Sequence, residues 1–270
     1  MVSDAGLKVL FLGTPQFAVP TLDAILASSH TVVGVVTQPD KPRGRGQKAS
    51  DAPVKARASE RGLPTLQPPT LKDPEVLDQM RALGADIGVV AAYGKILPQA
   101  VLDLPRLGMI NVHASLLPRW RGAAPVHRSV IAGDGKTGVT IMRVVKALDA
   151  GAMLATVERP IGPDDTSDEV ERDLGALGAA LLVQTLDRLA LGPIEEAVWN
   201  ERTGTLGHLR GVLHATRGAT LMEAANDYLT LRDDVLRRVF ARDDVDELRL
   251  VSTTPTVSTG WRRSSRSRAT

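Results

Sequence analysis

The feature that most restricts this chain is an alternation that runs to about residue 191. Short apolar runs rich in β-branched residues take turns with segments whose apolar residues recur at helical spacing. Leu7–Leu12, Thr31–Thr37, Asp86–Ala92 and Gly108–Val112 read as buried strands, with helices expected over Phe17–Ser28, Pro53–Gly62, Asp73–Gly84 and Gln99–Leu104. Strands separated by helices need crossover connections, so the expected fold is α/β: an open, mostly parallel, doubly wound Rossmann-like sheet. In such sheets ligands bind beyond the carboxyl ends of the strands. A helix over Pro125–Ile131, strands over Gly138–Val145 and Met153–Pro160, and a long helix to about Leu191 complete the pattern. Thr166 with Glu169 three residues later is a capping box that starts that last helix.

Composition narrows the chemistry. The 270 residues contain no cysteine, which excludes disulfides, a cysteine nucleophile and thiolate-ligated metal sites. No uninterrupted apolar run approaches the roughly 20 residues that span a bilayer. The first residues show no basic segment followed by an apolar core and cleavage site, so a cytoplasmic protein without membrane contact is expected. The formal net charge is only +2, so basic groups must be clustered to attract a polyanion. One such cluster exists: Lys41, Arg43, Arg45 and Lys48 place four cations within eight residues of a Pro- and Gly-rich loop, a phosphate-backbone clamp or simply a solvated loop.

The strongest polar cluster sits where the fold logic wants a site. Asn111 and His113 lie at the carboxyl end of the strand over 108–112, and period-two alternation turns both to one face. A carboxamide beside an imidazole suits acyl transfer, the amide donating to a developing oxyanion and the imidazole moving a proton. Asp149, in the turn between two later strands, is a candidate to orient the ring. The same pair equally suits a strand end whose backbone groups it merely satisfies; residue chemistry leaves both readings open. Gly13-Thr14-Pro15 after the first strand is not a GxGxxG, and Thr37-Gln38 stands where a dinucleotide site needs an acid, which argues against NAD. His30, His127, His208 and His214 read as ordinary surface or helix histidines, and no set has metal-ligand spacing, so no metal is expected.

Longer strings tip the balance. Asn111-Val112-His113-Ala114-Ser115-Leu116-Leu117-Pro118, with Asp149 following His113 by 36 residues, resembles the formyltransferases that use 10-formyltetrahydrofolate. The run from Gly108 to Pro125, with Phe11–Ala18, Thr37–Gly46 and Ala92–Pro98, is most similar to the methionyl-tRNA formyltransferase branch. The resemblance extends from about Leu7 to Leu191. It implies a catalytic domain over residues 1–191 in which Asn111, His113 and Asp149 form the catalytic set. Ser115, Leu116, Leu117 and Pro118 would line the folate site together with the backbone around Tyr93, Gly94, Lys95, Ile96 and Leu97. It further implies formyl transfer from 10-formyltetrahydrofolate to methionyl-initiator tRNA by a monomer, with Lys41, Arg43, Arg45 and Lys48 gripping the tRNA acceptor end. Arg119, Arg121 and Arg128 would add to a basic rim. An amino-sugar-nucleotide formyltransferase shares the catalytic set, and an inactive folate- or RNA-binding remnant is the third reading.

Residues 192–270 depart from this pattern. All eight lysines lie at or before Lys146, whereas twelve arginines and no lysine follow Gly192. The family's C-terminal β-barrel is not legible here, which implies either a frameshift near residues 192–210 or a lineage-specific, partly disordered tail.

Overall fold

A computed structural model describes residues 6–40, 51–200 and 205–210. The basic-loop residues Lys41, Arg43, Arg45 and Lys48, His214 and the arginine-rich end all lie outside them. Among the described residues nine strands form one sheet in the order β3-β2-β1-β4-β5-β6-β7-β8-β9. These are β1 (Lys8–Gly13), β2 (Thr31–Val36), β3 (Thr65–Leu66), β4 (Ile87–Ala91), β5 (Met109–His113), β6 (Lys136–Arg143), β7 (Met153–Pro160), β8 (Glu195–Asn200) and β9 (Thr205–Arg210). The first five pair in parallel; β6 onwards is antiparallel. The expected α/β sheet is therefore present, parallel over β1 to β5 and antiparallel from β6 onwards, where each strand pairs with its neighbour in sequence.

The central strands are apolar on both faces because both are covered. Five of the six residues of β1 are buried, as a strand inside a parallel sheet requires. On one face lie α1 (Val19–Leu26), α2 (Pro53–Glu60), α5 (Pro125–Ile131) and α6 (Ser167–Leu191), enclosing Phe11, Leu22, Val89, Ile110, Val112, Ile141, Leu174 and Leu182. On the other face α3 (Pro74–Ala82) and α4 (Gln99–Leu102) enclose Leu10, Leu12, Met80, Tyr93, Val101 and Met109. The order reverses around β1, whose neighbours are β2 and β4, so a topological switch point opens at the carboxyl ends of these strands.

Helix starts follow their local chemistry. Asp73 caps α3 by accepting from Glu75 N at 3.0 Å. Thr166 and Glu169 form the reciprocal capping box at α6. Over eighteen residues α6 is long and apolar enough to match a bilayer span, and its apolar residues are the ones that bury against the sheet and α1. Gly178 makes that approach close: a Cβ there would stand 2.8 Å from Val112 Cγ1 on β5.

Several elements differ from expectation. The helix expected over Phe17–Ser28 divides into a 3-10 turn, Gln16–Ala18, and α1, because Pro20 suits only a helix's first turn. The two-residue β3 carries no period to detect. The sheet also continues past Leu191 through β8 and β9. Strand β8 begins Glu195-Glu196, which looks solvated in sequence, yet Glu196 is buried and paired with Arg143 of β6 at 2.8 Å. His30 is likewise buried rather than superficial, because its Nδ1 accepts the Leu7 backbone N–H at 3.0 Å.

Candidate active site

The site is assembled from three carboxyl-end loops and one loop that doubles back. Tyr93 O, after β4, accepts from Gln38 Nε2 at 2.7 Å and from Thr14 Oγ1 at 3.4 Å, and Thr14 Oγ1 in turn accepts from Gln38 N at 3.2 Å. Thr14 and Gln38, which argued against a dinucleotide site, thus knit the ends of β1, β2 and β4 together. Gly94 needs its positive φ of 80° here, with Gln38 Nε2 lying 2.5 Å from where a Cβ would be. The 144–152 loop between β6 and β7 starts beside the beginning of β5, where Val144 N donates to Met109 O at 2.8 Å. It then returns Asp149 to the other end of β5, placing Asp149 Oδ2 3.8 Å from His113 Nδ1.

Between these loops lies a cleft of about 660 Å³, within the usual range for small-molecule sites. It brings together Asn111, His113 and Asp149 with Tyr93, Gly94, Lys95, Ile96 and Leu97. Its apolar walls include Val90, Ala92, Met142 and Val144. Ile96 and Leu148 are exposed at 84% and 67%, far beyond what core aliphatics tolerate, and both face the cleft. No hydrogen bond to any described residue occupies the Asn111 carboxamide, which leaves its donors available to a ligand.

His113 is held more firmly. Its side chain is 6% exposed, with Nε2 3.1 Å from Trp120 O and Nδ1 facing Asp149. Each ring nitrogen therefore faces an oxygen, and the ring plane is set. Asp149 is itself fixed because its Oδ2 accepts from Gly122 N at 2.8 Å. The 3.8 Å separation is ion-pair range, longer than a hydrogen bond; catalytic contacts commonly shorten when substrate binds. Four described non-glycine residues have positive φ: Ala92 (46°), Trp120 (61°), Ala124 (51°) and Asp149 (45°). All four line the cleft or touch its histidine, and backbone strain of this kind gathers at functional sites.

Other expected site residues fall elsewhere. Ser115 is fully buried; its hydroxyl donates to Arg119 O at 2.7 Å and its carbonyl accepts from Thr140 Oγ1 at 2.7 Å. Leu116 packs toward Gly138 on β6. Ser115, Leu116, Leu117 and Pro118 do not line the cleft but run behind it as a buttress, with Leu117 N donating to Thr140 Oγ1 at 3.1 Å. Arg119 is engaged by Asp134, at 2.6 Å from Nη2 and 3.0 Å from Nε. Arg128 is exposed, and Arg121 is half-buried. His127 and Glu171, which carried no role in the sequence, line the cleft. Among the described residues no group of three His, Asp or Glu side chains is arranged to hold a metal.

Comparison with known proteins places this geometry. Residues 7–186 match the family described as formyl transferase. The chain belongs to the formyl transferase family. This chain is 52% identical over 202 residues to a methionyl-tRNA formyltransferase of Pseudomonas fluorescens (strain SBW25), covering 75% of this chain and 64% of the relative. A methionyl-tRNA formyltransferase of Chromohalobacter salexigens is 55% identical over 184 residues, 68% of this chain and 57% of the relative. The chain therefore spans less than two thirds of the length of these relatives. Among solved structures, glycinamide ribonucleotide transformylase 1 from Symbiobacterium toebii superposes with a TM-score of 0.60 at 19% identity, covering 70% of this chain and 89% of the other. A formyltetrahydrofolate deformylase from Pseudomonas syringae gives a TM-score of 0.56 at 20% identity, covering 70% and 62%. Both share the Rossmann-like fold.

Proposed function

We propose that this formyl transferase moves the formyl group of 10-formyltetrahydrofolate to the α-amine of methionyl-initiator tRNA, giving N-formylmethionyl-tRNA. The observation that carries the reading is the convergence of Asn111, His113 and Asp149 on one apolar-walled cleft beside the 93–97 loop. A reduced pterin needs flat apolar walls with a few polar backbone groups, and Val90, Ala92, Met142 and the backbone of 93–97 offer that combination. The donor supplies an activated formyl carbon. The high identity to methionyl-tRNA formyltransferases supports the acceptor.

The chain's own residues divide the work. An aminoacyl α-amine has a pKa near 8 or below, so a useful neutral fraction exists at pH 7 to attack the formyl carbon. The free Asn111 carboxamide donates to the oxyanion that forms. His113, whose Nε2 is engaged by Trp120 O, uses its Nδ1, 3.8 Å from the Asp149 carboxylate and not hydrogen-bonded to it, to donate to the same oxygen or to relay the amine proton toward the departing nitrogen. Asp149, anchored by Gly122 N, holds the imidazole through charge and orientation.

In this reading Lys41, Arg43, Arg45 and Lys48 hold the tRNA backbone. The protein works as a cytoplasmic monomer without a metal. Residues 1–191 are the catalytic domain and 192–270 a C-terminal segment whose first strands, β8 and β9, extend the catalytic sheet. The test offers methionyl-initiator tRNA and an amino-sugar nucleotide together to the full chain with 10-formyltetrahydrofolate. Formyl-methionyl-tRNA as the dominant product supports the reading. A formylated sugar nucleotide, or neither product, overturns it.

A further inference from the structure

Asp134 lies outside the cleft, in the turn between α5 and β6, with its backbone fixed by Asp134 N donating to Ser129 O at 3.0 Å. Its side chain, only 14% exposed, gathers three donors: Arg119 Nε at 3.0 Å, Arg119 Nη2 at 2.6 Å and Trp120 Nε1 at 2.7 Å. The Arg119 guanidinium lies over the Trp120 ring, 4.5 Å from its centroid. The Arg119 carbonyl accepts from the Ser115 hydroxyl at 2.7 Å, so this short segment is tied at both side chains and backbone.

Such anchoring matters because of what the other side of Trp120 does. Its carbonyl oxygen lies 3.1 Å from His113 Nε2, and its φ is +61°, a region that bulky residues rarely occupy unless held there. We infer that Asp134 is a positioning residue for the site: by fixing Arg119 and the Trp120 indole it holds the Trp120 carbonyl against the His113 imidazole. Two oxygens then bracket the ring, Trp120 O on Nε2 and the Asp149 carboxylate on Nδ1, and each is held by a separate tie. Arg119 is thereby a member of this anchor. Arg119 and the Trp120 indole hold the Asp134 carboxyl below the usual aspartate range, so the anchor stays ionised throughout the pH range in which a histidine titrates.

The kinetic consequence rests on the proposed formyl transfer; the structural one does not, and the experiment reads them separately. Asp134→Asn keeps the shape but loses the charge-assisted pairs with Arg119, and Trp120→Phe removes only the indole N–H while keeping a ring. The imidazole NMR signals of His113, assigned with His113→Gln, are followed against pH in the full-length wild type, both single variants and the double variant, alongside thermal melting. The expected result is a displaced His113 titration in each single variant, with no further displacement in the double. It is accompanied by a roughly ten- to hundredfold fall in kcat and an unchanged KM for the folate donor. A His113 titration identical to wild type in both single variants overturns the inference, whatever the activity. Displacements that simply add in the double variant also overturn it, since the two groups would then act on His113 independently. Failure of the proposed reaction itself shows differently, as a wild-type chain that transfers no formyl group while the His113 signals still respond to Asp134→Asn.

Discussion

At the residue scale, much of the site was readable because a strand imposes its own geometry. Asn111 and His113 are two residues apart on β5, so alternation alone puts them on one face, and the cleft opens there. Asp149 was a candidate only by its place in a turn until the resemblance singled it out, since no periodicity reveals that the loop over 144–152 doubles back along the sheet to reach His113. The position of Ser115–Pro118 behind the cleft was not legible for a related reason: proximity in sequence to Asn111 and His113 does not show which way a loop turns. Gln38 on Tyr93 O, and Asp134 on Trp120, were beyond reach because each joins loops far apart in the chain.

His30 illustrates a residue whose burial carries a solution signature. Desolvation lowers its pKa from 6.5, more strongly than the nearby Asp187 carboxylate, 3.2 Å from Nε2, raises it. The folded state therefore holds the neutral ring while the unfolded chain takes up a proton near pH 6.5. The stabilisation is complete above that value and is lost as the pH falls through it toward the lower folded-state pKa. Urea denaturation between about pH 7.5 and about pH 5.5 is predicted to show falling stability. His30→Gln, whose amide oxygen can still accept from Leu7 N, is predicted to flatten the slope across that window. Equal slopes in the two proteins would contradict the assignment.

At the element scale, long periodic segments were legible and short or doubly used ones were not. Parallel strands β1, β2, β4 and β5 declare themselves as apolar runs because both faces are buried. The helix α6 declares itself through Thr166 and Glu169. Strand β8 does not, since a glutamate that is buried only by virtue of Arg143 looks like a surface residue in sequence. The contact between α6 and β5 links packing to chemistry, because Val112 stands between Asn111 and His113. Gly178→Val places new atoms where even a Cβ would lie 2.8 Å from Val112 Cγ1. The expected cost is about 1–3 kcal/mol of stability from overpacking, together with a lowered kcat as β5 shifts. Gly175→Ala is the matched control, since its Cβ would meet Phe17 and Pro20 atoms at 3.6–3.7 Å, an ordinary contact. Thermal melts and initial rates on the two variants separate the cases; equal behaviour would mean that α6 does not set the position of β5.

At the scale of the whole molecule, the fold explains why such a site arises at this place. Reversal of strand order around β1 leaves the ends of β1, β4 and β5 without a covering helix, and antiparallel β6 and β7 supply a loop able to return a carboxylate to that opening. Rigid strands carry the amide and imidazole, while the loops over 92–97, 119–124 and 144–150 carry the strained backbone and the adaptable walls. The central claim is that this cleft performs formyl transfer through the Asn111 carboxamide. Its most direct test is the single-turnover rate of transfer from 10-formyltetrahydrofolate to methionyl-initiator tRNA, measured with wild type and Asn111→Ala beside donor-binding affinity. Loss of an oxyanion donor is predicted to slow the step by about 10²- to 10³-fold with donor affinity nearly unchanged. An Asn111→Ala protein that transfers the formyl group at the wild-type rate would contradict the account.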